Sequence, residues 1–238
     1  MTEYLATAFI FAFAGLLQGI SGFGSLLFAI PLLALYLPPQ VCVPLSALCG
    51  IFIVTVLGLN LKRHLNAAKI IPIILGSLPG VAFGVVLLKN VDAETFRLLL
   101  GAMITCYSLF ALLARPNPRR VHWIWGSVSG AAAGAIAAGF SAGGPPVIVY
   151  VSMQDWSPDQ KRATLTGFFW AIGVVVAVTH ALAGLTTGYV LTHLVAAAPA
   201  IYLGVHAGLR LSRRISPVAY VRCVQLLLLA MGLMLLFG

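Results

Sequence analysis

The sequence predicts an all-α, polytopic membrane protein of two inverted repeats, each a broken helical hairpin followed by three transmembrane helices. Three observations carry this. The 238 residues are 61% hydrophobic and only 8% charged, with a mean hydropathy of +1.05, whereas a soluble domain carries roughly 25% charged residues. Apolar runs of membrane-spanning length recur along the whole chain. Two of the runs are interrupted in matching places, by Gly15, Gly19, Gly22, Gly24 and then Pro31, and by Gly134, Gly139, Gly143, Gly144 and then Pro145-Pro146.

The first repeat occupies residues 1–120 and the second 121–238. Each opens with one of the glycine-bearing stretches, at about 5–37 and about 121–153. A stretch of about 33 residues makes a helix near 50 Å long at about 1.5 Å per residue. That is too long for one crossing of about 30 Å and short for two. A hairpin bent at its glycines fits, because glycine weakens a helix interior and proline removes a backbone donor. Continuous apolar runs follow at about 41–61, 67–89 and 94–114 in the first repeat, and at about 161–183, 188–209 and 216–237 in the second. The N-terminus, Met-Thr-Glu-Tyr-Leu, lacks the basic region of a cleaved signal peptide.

Orientation follows from Lys and Arg. Lys62, Arg63 and Lys69, then Arg115, Arg119 and Arg120, then Lys161 and Arg162, then Arg210, Arg213 and Arg214 mark alternate connections. With those clusters in the cytoplasm every crossing is satisfied if each hairpin returns to the side it left, so both termini face outward. The net charge of +9 is this pattern, and it gives no support to nucleic-acid binding. Gly76, Gly80 and Gly84 in one half echo Gly204 and Gly208 in the other, at the four-residue spacing that lets helices approach closely.

Glu3, Asp92, Glu94, Asp155 and Asp159 all fall at ends or connections, so no carboxylate is buried where a proton-coupled pump would hold one. Binding then rests on neutral donors: Gln18, Ser21, Ser25, Ser141, Thr164, Thr166 and the backbone N–H groups at the two breaks. Helix N-termini carry unpaired donors and partial positive charge, which suit an anion. The half-helix after Gly144 starts with Pro145 and Pro146, where proline costs least. A small anion held by two opposed half-helix ends is the expectation, with no cofactor, no metal and no enzymatic activity. His180 is a candidate coupling group or a structural hydrogen-bonding residue, and Arg162 a membrane anchor or a mouth that gathers anions. His206 shares a face with Tyr202 and reads as structural. Cys42, Cys49, Cys106 and Cys223 form no CxxC pair or metal spacing and read as packing residues.

Gly139-Phe140-Ser141-Ala142-Gly143 matches the Gly-x-Ser-x-Gly nucleophile elbow of serine hydrolases. That elbow needs a strand, a turn and a helix; here the flanks are apolar helix, so an intramembrane hydrolase using Ser141 stays a distant alternative. A bis-histidine haem carrier using His180 and His206 has no further support.

Gly15-Leu16-Leu17-Gln18-Gly19-Ile20-Ser21-Gly22-Phe23-Gly24, with Pro31-Leu32-Leu33 after it, resembles the first-repeat signature of the TauE/SafE sulfite-exporter family. Ser141-Ala142-Gly143-Gly144-Pro145-Pro146-Val147, with Tyr150 and Arg162-Ala163-Thr164, resembles its second. The resemblance implies a bacterial inner-membrane protein of about eight hydrophobic segments that moves sulfite, organosulfonates or related small anions. By motif match it places Gln18, Gly22, Gly24, Ser141, Gly144 and Pro145 at the site, to which the reading of the residues adds Ser21, Ser25, Gly143 and Thr166. The expected function is export of a small sulfur anion driven by the membrane potential. Proton-coupled uptake with His180 as carrier is the alternative. The expected partners are the anion and the lipid bilayer, and a homo-oligomer remains open.

Overall fold

In a computed structural model of the chain, residues 2–22, 24–58, 66–113, 121–212 and 217–237 are described, and they form ten α-helices. These are α1 (Thr2–Ser21), α2 (Ser25–Leu33), α3 (Pro39–Gly58), α4 (Ala67–Asn90), α5 (Ala93–Leu113), α6 (Trp123–Phe140), α7 (Gly144–Met153), α8 (Pro158–Leu182), α9 (Gly188–Leu211) and α10 (Pro217–Phe237). Seven helices among the described residues are long and apolar enough to cross a membrane: α1, α3, α4, α5, α6, α8 and α9. Large apolar side chains such as Phe9, Phe83, Leu182 and Phe237 are exposed around the outside, as a lipid-facing surface requires.

Local chemistry sets the helix starts. Ser157 and Gln160 form a reciprocal capping box at α8, with Pro158 in the first turn. Asn66 caps α4 by accepting from Ala68 N at 3.0 Å, and Thr187 caps α9. Before α5 the Asp92 carboxylate accepts from Thr95 N at 2.9 Å and Glu94 N at 3.0 Å. Those bonds, Thr95 foremost, hold its carboxyl below the usual range. The described limits of α4, α8 and α9 lie within three residues of the apolar runs at 67–89, 161–183 and 188–209. Lys62, Arg63, Arg115, Arg119, Arg120, Arg213 and Arg214 lie outside the described residues, whereas Lys69, Lys161 and Arg162 open helices and Arg210 closes one.

The glycine-bearing stretches are hairpins with unequal arms. Each has a first arm of spanning length, 20 residues in α1 and 18 in α6, and a second of about half that, 9 in α2 and 10 in α7. The hairpins are not bent at all of their glycines: Gly15, Gly19, Gly134 and Gly139 lie within continuous helices. They sit where another helix backbone comes close. Among the described residues of the two tips, positive φ occurs at Gly22 (82°), Gly24 (93°) and Ser141 (49°), and Pro31 is carried inside α2.

Close approach decides how the hairpins pack. α1 lies along α9, α4 along α6, and α5 along α10, while α3 contacts α8 and α9. A Cβ at Gly80 would collide with the carbonyl oxygen of Ala131, and one at Gly204 with that of Ala12. A Cβ at Gly84 would meet the carbonyl of Ala135, and one at Gly208 that of Leu16. The first helix of each set of five therefore packs on the fourth helix of the other set through corresponding glycines. In this register Ala12 corresponds to Ala131 and Leu16 to Ala135, so Gln18 corresponds to Ala137, Ser21 to Phe140 and Gly22 to Ser141.

Candidate functional site

The two hairpin tips face each other across a cavity of about 80 Å³. One water needs roughly 10–15 Å³ on the same measure, so the space suits several waters or one small polyatomic ion. Tip one contributes Gln18 and Gly24–Leu27; tip two contributes Ala137, Ser141–Gly144 and Ile148. The side walls are Ala47, Gly50, Ile51 and Val54 of α3, and Phe169, Ile172, Gly173 and Val176 of α8. None of these residues is charged.

At tip one, Gly22 N donates to Gln18 O at 2.7 Å and ends α1; Gly24 then starts α2, whose Phe28 N donates to Gly24 O at 3.2 Å. The first amides of α2, from Ser25 to Leu27, have no carbonyl one turn earlier to accept from them. Gln18 lies 4% exposed against this end. Its Oε1 accepts from Ser25 N at 3.3 Å and from the Ser25 hydroxyl. A neutral side-chain oxygen thus occupies the place where an anion gains most from the helix end.

At tip two, Ser141 ends α6 in a left-handed conformation that a non-glycine residue adopts at a cost. Its hydroxyl donates to Val43 O of α3 at 2.8 Å and holds the turn in place. Gly143 precedes α7 without a side-chain cap, and the corresponding partner of Gln18 is Ala137, too short to supply one. Pro145 and Pro146 have no N–H, so Gly144 alone carries an amide proton among the first three residues of α7. Of the two half-helix ends, α2 therefore offers the larger donor set, and α7 adds chiefly its dipole and open space.

Of the expected site residues, Gln18, Gly24, Ser25, Ser141, Gly143 and Gly144 line the cavity. Gly22 shapes the turn, and Pro145 is buried in the first turn of α7. Ser21 donates to Leu17 O at 2.9 Å and lies in a separate hollow toward α10. Thr164 and Thr166 are buried on α8 outside the lining. Arg162 is exposed near the start of α8, and neighbouring Lys161 donates to Ser152 O at 3.1 Å.

His180 is fully buried but off the lining, with Nε2 2.9 Å from Ala138 O, so it ties α8 to α6. It lies one turn beyond Val176 and is not among the residues that line the cavity. Ser141 and His180 each hydrogen-bond to a backbone carbonyl, which is not a nucleophile and its base. His206 bonds Tyr202 O within α9 and rests on that ring at 4.1 Å. Cys42 and Cys49 are buried, Cys106 and Cys223 exposed, and all four are free.

The walls were missed from the sequence. A Cβ at Gly50 would lie 2.8 Å from Leu26 Cδ1, and one at Gly173 2.9 Å from Ile51 Cγ1. Gly50 admits the first hairpin tip through Leu26, and Gly173 lets α8 come close to α3 at Ile51. Their signal was present as two i, i+3, i+4, i+7 faces with one glycine each. His193 was missed too: buried, 3.0 Å from Thr7 Oγ1, and stacked on Tyr4 at 4.2 Å, it joins α9 to α1.

Spanning helices, two half-length helices and an uncharged cavity between their N-terminal ends define a multi-pass membrane transporter. The chain belongs to the sulfite exporter TauE/SafE family, whose model matches residues 7–235. Membership supports a membrane transporter of sulfur anions. No curated protein and no solved structure matches the chain.

Proposed function

We propose that the protein exports a small sulfur oxyanion, sulfite or an organosulfonate, across a bacterial inner membrane with the membrane potential as driving force. The observation that carries this is the convergence of α2 and α7, N-terminal ends first, on one cavity without a charged side chain. Partial positive charge from two dipoles binds an anion without a fixed cation to trap it. An interior-negative potential favours exit by about 2.3 kcal/mol per charge per 100 mV. The reciprocal packing of α1 on α9 and α6 on α4 supports two inverted repeats, 1–120 and 121–238, that rock about the hairpin tips. With the basic connections in the cytoplasm, both termini face outward.

The test is sulfite flux into or out of proteoliposomes under an imposed potential, with no proton or sodium gradient. Flux should follow the potential; an obligatory proton or sodium counterflow would overturn the uniport step. In the same assay Gly144→Leu should stop flux in a protein that still folds. A Cβ there lies 3.3 Å from Ile148 Cδ1 and 3.6 Å from Phe169 Cζ, so the side chain enters without backbone collision and extends into the cavity. Wild-type flux from this variant would remove the cavity from the path.

A further inference from the structure

A groove runs over the outside of the molecule where α3 meets α9, lined by Phe52, Val195, Ala198, Pro199, Tyr202 and Leu203. Its volume is about 530 Å³, against about 80 Å³ for the central cavity, so it has room for a chain molecule rather than a few waters. The Tyr202 hydroxyl is the one polar side-chain group among these residues. His206 fixes the Tyr202 side, for its Nδ1 donates to Tyr202 O at 2.9 Å and its ring rests on the tyrosine ring at 4.1 Å. Ile51, next to Phe52 on α3, walls the central cavity. The groove and the cavity thus share a helix as their partition.

Along α9 the groove leads to a cation. A helix turns about 100° per residue, so Arg210, seven residues after Leu203 and eleven after Pro199, lies within about 20° of both around the axis. It is exposed in the last turn of α9 and makes no ion pair or hydrogen bond among the described residues. Along the axis it stands about 10 Å from Leu203 and about 22 Å from Val195. A phospholipid covers that range, because half of a bilayer roughly 40–45 Å thick leaves about 20 Å from headgroup to midplane. The first repeat differs here. With Gly84 matched to Gly208, Val86 stands where Arg210 stands, so helix packing does not demand a cation at this place.

We propose that an anionic phospholipid is seated on this face, with one acyl chain along the groove and its phosphate on the Arg210 guanidinium. Arginine meets phosphate with paired donors, which makes the contact strong and directional. The orientation proposed above puts this end of α9 in the cytoplasm, on the leaflet that carries anionic lipid. A second copy of the chain fits the groove less well. Helices approach closely in lipid through small residues, and α9 already uses Gly204 and Gly208 against α1, whereas Phe52, Val195, Tyr202 and Leu203 rim the groove. A flexible acyl chain follows such a surface where a helix stands off from it.

The test uses the purified full-length protein in detergent, with native mass spectrometry and melting temperature as readouts. Dioleoyl phosphatidylglycerol should stay bound and raise the melting temperature. Dioleoyl phosphatidylcholine, with the same chains and no net charge, should bind about fivefold more weakly, the factor expected for one Lys or Arg beside an anionic lipid. Glycerol phosphate, the anion without the chains, should not bind. Arg210→Gln, an exposed change that leaves the helix contacts intact, should lower phosphatidylglycerol affinity by the same factor of about five. Ala198→Phe, which fills the groove, should displace the lipid with Arg210 still in place. Equal affinity for the two lipids, undiminished phosphatidylglycerol binding by Arg210→Gln, or glycerol phosphate bound as tightly as the lipid would each overturn the proposal. A dimer that Ala198→Phe converts to monomer would assign the groove to a second copy and overturn it as well.

Discussion

Gln18→Glu should abolish transport and leave the fold intact. Glutamate has nearly the shape of glutamine, so its carboxylate takes the same bonds from Ser25 N and Ser25 Oγ. It holds them more strongly, because the acceptor is charged and faces a helix N-terminus. The cavity then contains a tethered anion that no free substrate displaces. Like charges about 4 Å apart repel by about 4 kcal/mol at an effective dielectric constant near 20, or about a thousandfold in occupancy at 1.4 kcal/mol per tenfold. Sulfite flux in proteoliposomes is the readout, with thermal stability measured alongside. Gln18→Leu, which removes the oxygen without adding charge, should keep more flux than Gln18→Glu. A glutamate variant that transports like wild type would show that the end of α2 is not where the anion sits.

Gly80→Leu should abolish folded protein altogether. The added Cβ runs into the backbone carbonyl of Ala131 and lies 2.8 Å from Ala135 N, and neither atom yields without moving α6. Overpacking costs about 1–3 kcal/mol where side chains can shift; here two helices must separate along their shared face. Gly204→Leu should fail in the same way, through Ala12. Gly188→Ala, where a Cβ meets nothing within 4 Å, serves as the tolerated control. Size-exclusion profiles and melting curves decide the matter, and a wild-type melt from Gly80→Leu would contradict the α4–α6 interface.

Much of this molecule was legible before its coordinates. Spans were readable because lipid demands long apolar runs, and both breaks were readable because no helix passes easily through Gly22-Phe23-Gly24 or Gly143-Gly144-Pro145-Pro146. Composition hides whether a glycine bends its helix or admits a neighbour. Gly15, Gly19, Gly134 and Gly139 took the second role, which depends on a partner helix far away in sequence. The direction a polar side chain takes was hidden for the same reason. Ser21, three residues after Gln18, turns toward α10, while Gln18 turns to Ser25. Thr166, Arg162 and His180 looked suitable by residue type, and they do share the α8 face of Phe169, Gly173 and Val176, but they lie above or below the cavity along the helix axis. The left-handed Ser141 could not be foreseen, since its carbonyl partner, Val43, lies on a helix of the other half.

The pairing of α1 with α9 also governs how the chain comes together. α4 meets α6 soon after synthesis, since these helices are near neighbours in the chain, but α1 waits until nearly the whole protein has been made. Such long-range pairing slows folding. Meanwhile the face of α1 that carries Gly15 and Gly19 stays open in the bilayer, where another small-residue helix could bind it. The first five helices therefore do not finish as a unit on their own. Each half supplies the closing surface for the other, so a chain stalled before α9 leaves α1 without the helix it packs along.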